Sequence, residues 1–180
     1  MKTIQHFLKI CKHKYWVFYY CNKAGIPWRG IVHDMSKFSP IEFFESVKYY
    51  QGSSSPIDAC KKANGWSAAW LHHKGRNKHH YEYWQDNFDN GGVPLKMPYK
   101  DVLELICDYL GAGKAYQGKN FTLQGEKIWW DAKKKHNLAM HPQTFEFIDT
   151  MMTYFNIYGE YATFKCAKDI YKIAELNTKN

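Results

Sequence analysis

The sequence lacks any long apolar segment and any paired cysteine motif. No hydrophobic run approaches the ~18 residues that a membrane-spanning helix needs. His and Lys interrupt the N-terminal stretch MKTIQHFLKICKHKYW throughout, which is not typical of a signal peptide. The five cysteines are widely spaced and form no CxxC pair, so reduced and mostly buried thiols are the simplest interpretation. We therefore expect a cytoplasmic protein that does not contact a membrane.

Acidic residues are scarce relative to basic ones. The chain has 17 Asp and Glu against 25 Lys and Arg, which gives a formal net charge of +8 and favours an anionic partner. The basic residues are scattered, except for a run at 133–135 that we interpret as a solvated helix face. This pattern favours a phosphorylated ligand but does not fix its size. We expect the partner to be an anionic small molecule of the nucleotide type, and nucleic acid stays a less favoured alternative. The oligomeric state is left open.

Alternating strand patterns are also missing, apart from the loop around Asn90 and Gly91. Apolar residues recur instead at helical spacing, and several prolines stand where a helix would begin. With 180 residues and 45% hydrophobic content, the chain suits one domain with a sizeable core. The sequence predicts an all-α fold: a single-domain helical bundle of about seven helices spanning residues 1–180.

The predicted helices have recognisable boundaries. The first runs from about Thr3 to Ala24, and its apolar stripe is predicted to comprise Ile4, Phe7, Leu8, Cys11, Tyr15 and Phe18. A short helix covers 31–35, and another begins at a capping box formed by Ser39 and Glu42 and ends at Gly52. The stretch 52–65 is a loop by composition.

The later elements follow the same logic. A helix from about residue 66 breaks near Gly75, which lets the chain reverse, and restarts at a cap on Asn77. Pro98 opens an apolar helix over 99–116, and further helices cover about 126–136, 142–158 and 160–176. We expect the chain from about Phe121 to be scaffold and cavity wall, with His141 capping a helix rather than binding metal.

Histidine is abundant, with nine residues, and most of those near the middle of the chain lie at helix breaks. A single mid-helix His or Asp is usually a surface group or a hydrogen-bonded core group. Imidazoles and carboxylates at several helix ends are, however, what a site for one or two metal ions needs, because Fe, Mn, Co, Ni and Zn accept N and O ligands. The motif HDMSK, residues 33–37, adds a lysine beside such a pair.

The order of these residues, H…HD…H…H…D, resembles the HD superfamily of helical metal-dependent phosphohydrolases. It is carried by His13, His33-Asp34, the group at 73–80, and Asp108. HDMSK is similar to the HDxGK motif of the HD-GYP branch, which cleaves cyclic dinucleotides, although the GYP segment is absent. HDMSKFSPIEFF and AWLHHKGRNKHHYEYW also resemble an uncharacterised domain of bacterial and phage proteins over roughly the whole chain, which implies no particular activity.

The HD resemblance implies an HD-like helical domain with one or two divalent transition metals (Mn, Fe, Co, Ni or Zn). The metal-binding residues would be His13, His33, Asp34, His73, His79, His80 and Asp108. The choice between His72 and His73, and between His79 and His80, stays open. Asp34 and Lys37 would be catalytic, and Lys37, Arg76, Asn77 and Lys78 would bind the substrate phosphate. Asp101, Glu104 and Glu82 are expected to support the ligands by orienting histidines.

Three functions remain in competition at this level. The first is a metal-dependent phosphohydrolase acting on a small phosphorylated or cyclic nucleotide. The second is a di-iron oxygenase of the HD type, which iron content and an oxygen-dependent spectrum would identify. The third is a non-catalytic protein that sequesters a nucleotide, which tight binding without turnover would identify.

Overall fold

A helix that is apolar on almost all sides lies at the centre of the fold. The fold is all-α, as predicted, and eight α-helices account for most of residues 1–178, the part of the chain that this computed structural model describes. The helices are α1 (Lys2–Lys23), α2 (Pro27–Val32), α3 (Pro40–Tyr49), α4 (Pro56–Asn64), α5 (Ala68–Arg76), α6 (Tyr99–Gln117), α7 (Leu123–Lys133) and α8 (Pro142–Asn177).

The central helix α6 is buried from Asp101 to Ile106 and beyond, and it packs along α1 and α8. The two helix backbones α1 and α6 approach closely at Gly111, where an added Cβ would lie 2.6 Å from Val17 Cγ2. A larger residue at this position would force the helices apart and disturb the residues that they hold between them.

The first helix buries a different face from the one predicted. The predicted stripe is solvent-exposed, with Ile4 67% and Tyr15 60% exposed, whereas His6, His13 and Val17 are buried. Helix α1 has apolar residues on two faces, and the face with the two histidines packs against α6. Hydrophobic periodicity alone therefore predicted the wrong face of α1 to be buried.

Two other local predictions were wrong. The segment predicted as a loop contains α4, whose N-cap Ser55 accepts a hydrogen bond from the Asp58 backbone and whose C-cap Gly65 has φ +80°. Helix α5 continues through Gly75 without a positive φ and ends at Arg76, and no α-helix restarts at Asn77. The chain reverses instead in the turn between Asn77 and His80, which the hydrogen bond from His80 N–H to the Asn77 carbonyl closes.

A third boundary also differs, because the short helix predicted at 31–35 begins at Pro27 and ends at Val32. The other elements lie close to their predicted positions. Gly159 interrupts α8 with φ 75° and ψ 179°, at the boundary predicted between the last two helices. A two-residue strand pair, β1 (Gln85–Asp86) with β2 (Val93–Pro94), flanks the Asn90-Gly91 loop. Among the helices of residues 1–178, none combines the length and the apolar character needed to cross a membrane.

Candidate metal centre

Buried histidines and carboxylates from five parts of the chain meet beside α6. His13 comes from α1, His33 follows the last residue of α2, and Asp108 lies in the middle of α6. His73 is in the last turn of α5, and His79 and His80 are in the turn that follows it. Between them lies Asp34, whose backbone is left-handed with φ 53° and ψ 29°. Such a conformation is uncommon for a residue other than glycine and is often found at functional sites.

The first group of donors comprises His13, His33, Asp34 and Asp108. His13 Nε2 lies 3.1 Å from Asp108 Oδ1 and 3.3 Å from Asp34 Oδ2. His33 Nε2 lies 3.2 Å from Asp34 Oδ2 and 3.4 Å from Asp108 Oδ1. The four residues are therefore arranged around one point, which confirms the expectation that His33 and Asp108 converge.

The second group comprises Asp34, His73, His79 and His80. Asp34 Oδ1 lies 3.3 Å from His73 Nε2 and 3.4 Å from His79 Nε2. The two oxygens of the Asp34 carboxylate thus face different groups, Oδ2 the first and Oδ1 the second. The prediction that at least two of the four central histidines share a cavity is confirmed.

These separations fit a metal site better than a network of ordinary hydrogen bonds. Ligands ~2.1 Å from a common ion lie about 3.0 Å apart in octahedral geometry and about 3.4 Å apart in tetrahedral geometry. Charge-assisted hydrogen bonds would be shorter, about 2.7–2.9 Å. In addition, several of the facing atoms are buried without hydrogen-bond partners within the described residues: His13 Nε2, His33 Nε2, Asp34 Oδ1, His79 Nε2 and His80 Nε2. The buried groups could hold a metal ion.

Glu104 supports one histidine of each group. Its Oε1 accepts hydrogen bonds from His33 Nδ1 at 2.9 Å and from His79 Nδ1 at 3.2 Å, which leaves the Nε2 atoms directed at the groups. His33, His79 and Glu104 also form a third set of close donor atoms. We interpret this set as the supporting hydrogen bonds of Glu104 and not as a third metal site, because the Nε2 atom of each histidine faces the donor groups.

Glu42 supports the other side. Its Oε2 lies 2.8 Å from His73 Nδ1 and its Oε1 lies 2.6 Å from His72 Nδ1. Of this histidine pair, His73 therefore faces the cluster and His72 lies behind it. The predicted capping box is wrong, because the Ser39 side chain makes no cap hydrogen bond and Glu42 turns to the histidines. This role was hidden in the sequence, since Glu42 also fitted the capping pattern.

The other predicted supporting acids lie further from the histidines. Asp101 Oδ1 is 2.6 Å from Arg29 Nη1, and the same nitrogen is 2.9 Å from Glu104 Oε2. Asp101 therefore contacts Glu104 through Arg29 and not a histidine. Glu82 Oε2 is buried without a hydrogen-bond partner, and within residues 1–178 no hydrogen bond or ion pair joins Glu82 to the clustered histidines, so its supporting role stays a prediction.

The close contacts in the cluster favour a protonated histidine, His33, beside an ionised carboxylate, Asp34. Burial alone lowers the pKa of His33, but Asp34, Asp108 and Glu104 outweigh it and hold that pKa well above its usual range. Burial raises the pKa of Asp34, yet His33, Lys37 and His73 bring it well below its usual range. Without an ion, His33 thus retains its proton, and its positive charge balances the neighbouring carboxylates.

Lys37 lies at the mouth of this cluster. Its Nζ is 2.5 Å from Asp34 Oδ2, and its side chain lines a cavity of about 190 Å³. Burial lowers the pKa of Lys37, but Asp34 and Asp108 outweigh it and raise the pKa above its usual value, so the ammonium stays charged. The residues that line the cavity extend from His6 to Tyr116, so α7 and α8 act as scaffold and not as cavity wall.

The basic segment after α5 lies outside this cavity. Arg76 and Lys78 are exposed. Asn77 is half-buried and donates from Nδ2 to Ser36 Oγ at 2.9 Å and to the His73 carbonyl at 2.8 Å. This amide therefore joins the HDMSK turn to the end of α5, which is a bracing contact. The assignment of these three residues to phosphate binding stays a prediction without a contact to carry it.

Three further placements complete the comparison with the sequence. Lys14 donates from Nζ to the backbone carbonyls of Ile31, at 3.4 Å, and of His33, so it holds the end of α2 beside the cluster. His141 caps α8 by accepting from Gln143 N–H at 3.2 Å, which confirms the expected cap. His136 is exposed.

Comparison with known proteins adds a family but no activity. A family model described as "Family of unknown function (DUF5662)" matches residues 2–154. The match includes every residue of both donor groups. No curated protein and no solved structure matches the chain.

Proposed function

The chain belongs to the DUF5662 family, whose function is unknown, and we propose from the site that it is a metal-dependent phosphohydrolase acting on a small phosphorylated or nucleotide substrate. The observation that carries the proposal is the shared carboxylate of Asp34, which faces one group of donors with each oxygen while a charged lysine lies 2.5 Å from it at the cavity. The cofactor would be one or two divalent transition metals.

The charges of the site favour an anionic ligand. Four carboxylates surround the histidines, and Arg29 offsets the charge of Asp101. Two divalent ions would balance those four carboxylates and leave the ammonium of Lys37 as excess positive charge next to the cavity. The balancing carboxylates are Asp34, Asp108, Glu42 and Glu104.

The residues divide the work of hydrolysis between them. When bound, divalent ions polarise phosphoryl oxygens and lower the pKa of water, which supplies a nucleophile at neutral pH. Lys37 holds its proton and places a positive charge against the phosphate oxygens. Glu104 and Glu42 fix the ring orientation of their histidines, so the donor groups need little rearrangement. Trp70 and Ile57 line the cavity and limit the entry of bulk water.

Replacing Lys37 with methionine separates the proposal from its competitors. The Lys37→Met variant keeps the side-chain length but removes the charge, so the fold and the metal content should be retained. We expect kcat/KM for a phosphomonoester to fall about 10- to 150-fold, the equivalent of ~1.5–3 kcal/mol for a charged hydrogen bond. Lys168→Met is the matched control, since Lys168 is exposed on α8 and does not line the cavity, and its activity should stay unchanged.

The measurements are metal analysis of the purified protein followed by phosphate release with Mn, Fe, Co, Ni and Zn. Oxygen consumption with bound iron and no phosphate release would identify an oxygenase and overturn the proposal. Tight binding of phosphorylated ligands without release of phosphate in any metal form would identify a binding protein instead. Equal activity of Lys37→Met and wild type would remove Lys37 from the substrate site.

A further inference from the structure

The cavity extends away from the donor groups as a slot along α1 and α6, and residues of α3, α4 and α5 close its other side. The helices run in opposite directions: His13 faces Asp108 at one end, whereas Lys9 lies 3.5 Å from the Ala115 carbonyl and 4.7 Å from the centre of the Tyr116 ring. The lining residues of α1 and of α6 recur at helical spacing. They are His6, Lys9, Ile10, His13, Asp108, Ala112 and Tyr116. One end of the slot is therefore the metal centre and the other is His6.

The length and volume of the slot limit what it can hold. His6 and His13 are seven residues apart on α1, which corresponds to about 10 Å at 1.5 Å per residue. A phosphate group at the donor groups would occupy only the inner end. The volume of about 190 Å³ is below the ~300–1,000 Å³ typical of pockets for drug-sized ligands, which argues against a cyclic dinucleotide.

His6 is an unusual residue for the far end of such a slot. The residue is 5% exposed, and its Nδ1 is buried without a hydrogen-bond partner in the described part of the chain. The ring is held beside Phe43 and Tyr50, with centroids 5.4 and 5.3 Å away. Burial, with a smaller contribution from Lys37, lowers the pKa of His6 to about 4. The imidazole is therefore neutral at physiological pH and offers one donor and one acceptor.

We propose that the end of the slot at His6 is a recognition subsite for the distal part of an extended phosphomonoester, whose uncharged polar group lies about 10 Å from its phosphate. The proposal rests on the proposed function, because it assumes that the phosphate occupies the donor groups. A neutral imidazole suits a hydroxyl, an amide or a ring nitrogen and does not attract a second anionic group. Hexose phosphates and nucleoside monophosphates both present such a group, and the volume of the slot favours the smaller hexose phosphate.

The test is equilibrium binding to the metal-loaded protein by calorimetry, with four probes: inorganic phosphate, ethyl phosphate, a nucleoside 5′-monophosphate and a hexose 6-phosphate. Wild type should bind at least one extended probe more tightly than ethyl phosphate. The His6→Phe variant keeps an aromatic ring beside Phe43 and Tyr50 but removes both nitrogens. It should weaken the extended probe about 5- to 10-fold, within the range for an uncharged hydrogen bond, and leave the two short probes within about 2-fold.

Each outcome bears on the subsite directly. His136→Phe is the control, because His136 is exposed, and it should change no affinity. Preference for the nucleotide or for the sugar phosphate identifies which source the subsite fits. Equal binding of short and extended probes by wild type, or an equal effect of His6→Phe on all four, would overturn the subsite. Failure of phosphate release with the binding pattern intact would reject the phosphohydrolase and leave the subsite standing.

Discussion

Replacing Glu104 with glutamine should weaken both candidate metal sites at once. The carboxylate accepts from His33 Nδ1 and His79 Nδ1 through Oε1 and from Arg29 through Oε2. A glutamine has the same shape but only one acceptor oxygen. Either orientation of its amide sets an N–H group against another donor, Arg29 in one case and the two imidazoles in the other.

The magnitude follows from the role of this carboxylate. Loss of a group that orients a ligating histidine typically costs 10- to 100-fold in metal affinity, which is about 1.4–2.7 kcal/mol. His33 belongs to one donor group and His79 to the other, so we expect a loss of this size at each occupied site. The Asp101→Asn variant is the matched control, because Asp101 contacts Arg29 but no clustered histidine, and it should lose less than about 3-fold.

The assay is competition between the metal-free protein and a chromophoric chelator for Mn²⁺, Co²⁺ or Zn²⁺. Circular dichroism and the thermal midpoint of each metal-free variant check that the fold is retained. An unchanged metal affinity in a folded Glu104→Gln protein would refute the reasoning, since Glu104 would then be a structural ion-pair partner of Arg29 alone. An equal loss in Asp101→Asn would assign the effect to Arg29.

Three other perturbations test separate parts of the structure. Burial, with a smaller contribution from Asp108, raises the pKa of Glu126 from 4.5 to about 7. Between pH 4.5 and about 7 the folded state therefore binds more protons at Glu126 than the unfolded state does. The free energy of unfolding falls as the pH rises through this range. Glu126→Gln should be neutral at pH 4 and raise the free energy of unfolding by up to about 3 kcal/mol at pH 8, measured by urea denaturation. Lys14→Met should lower the free energy of unfolding by about 1–2 kcal/mol, because its ammonium satisfies carbonyls at the end of α2; an unchanged urea midpoint would contradict this. The double variant His136→Ala, His141→Ala should keep the wild-type metal content by mass spectrometry, and loss of metal would move the centre towards the C-terminal helices.

The convergence of His33, Asp34 and Asp108 was predictable because a buried charged residue needs a polar partner. Asp108 in an apolar helix needs a partner if it is buried, and the His33-Asp34 pair at a helix end supplies one, so their contact followed from the order of residues. The supporting role of Glu104 could also be predicted from the sequence, since Glu104 lies one turn before Asp108 on the same face of α6.

Other features depend on competition that one sequence does not resolve. Helix α1 has apolar residues on two faces, and only packing against α6 decides that the face with His6 and His13 is buried. Glu42 fits a cap and a histidine partner equally well until the end of α5 is placed beside it. Helix α4 lies within a stretch rich in Ser and Gly, so its N-cap Ser55 could not be told from an ordinary loop serine in the sequence.

If each donor group holds an ion, the shared carboxylate of Asp34 would link the two sites thermodynamically. An ion at Oδ2 would fix the plane of the carboxylate and hence the position of Oδ1, while its charge would repel a second ion a short distance away. Whatever the balance of these effects, the first ion changes the affinity for the second by the same factor in either order of binding. Occupancy should therefore follow a two-step or cooperative titration rather than two independent curves. The amount of free metal around the protein would then set how many of its molecules carry a complete centre.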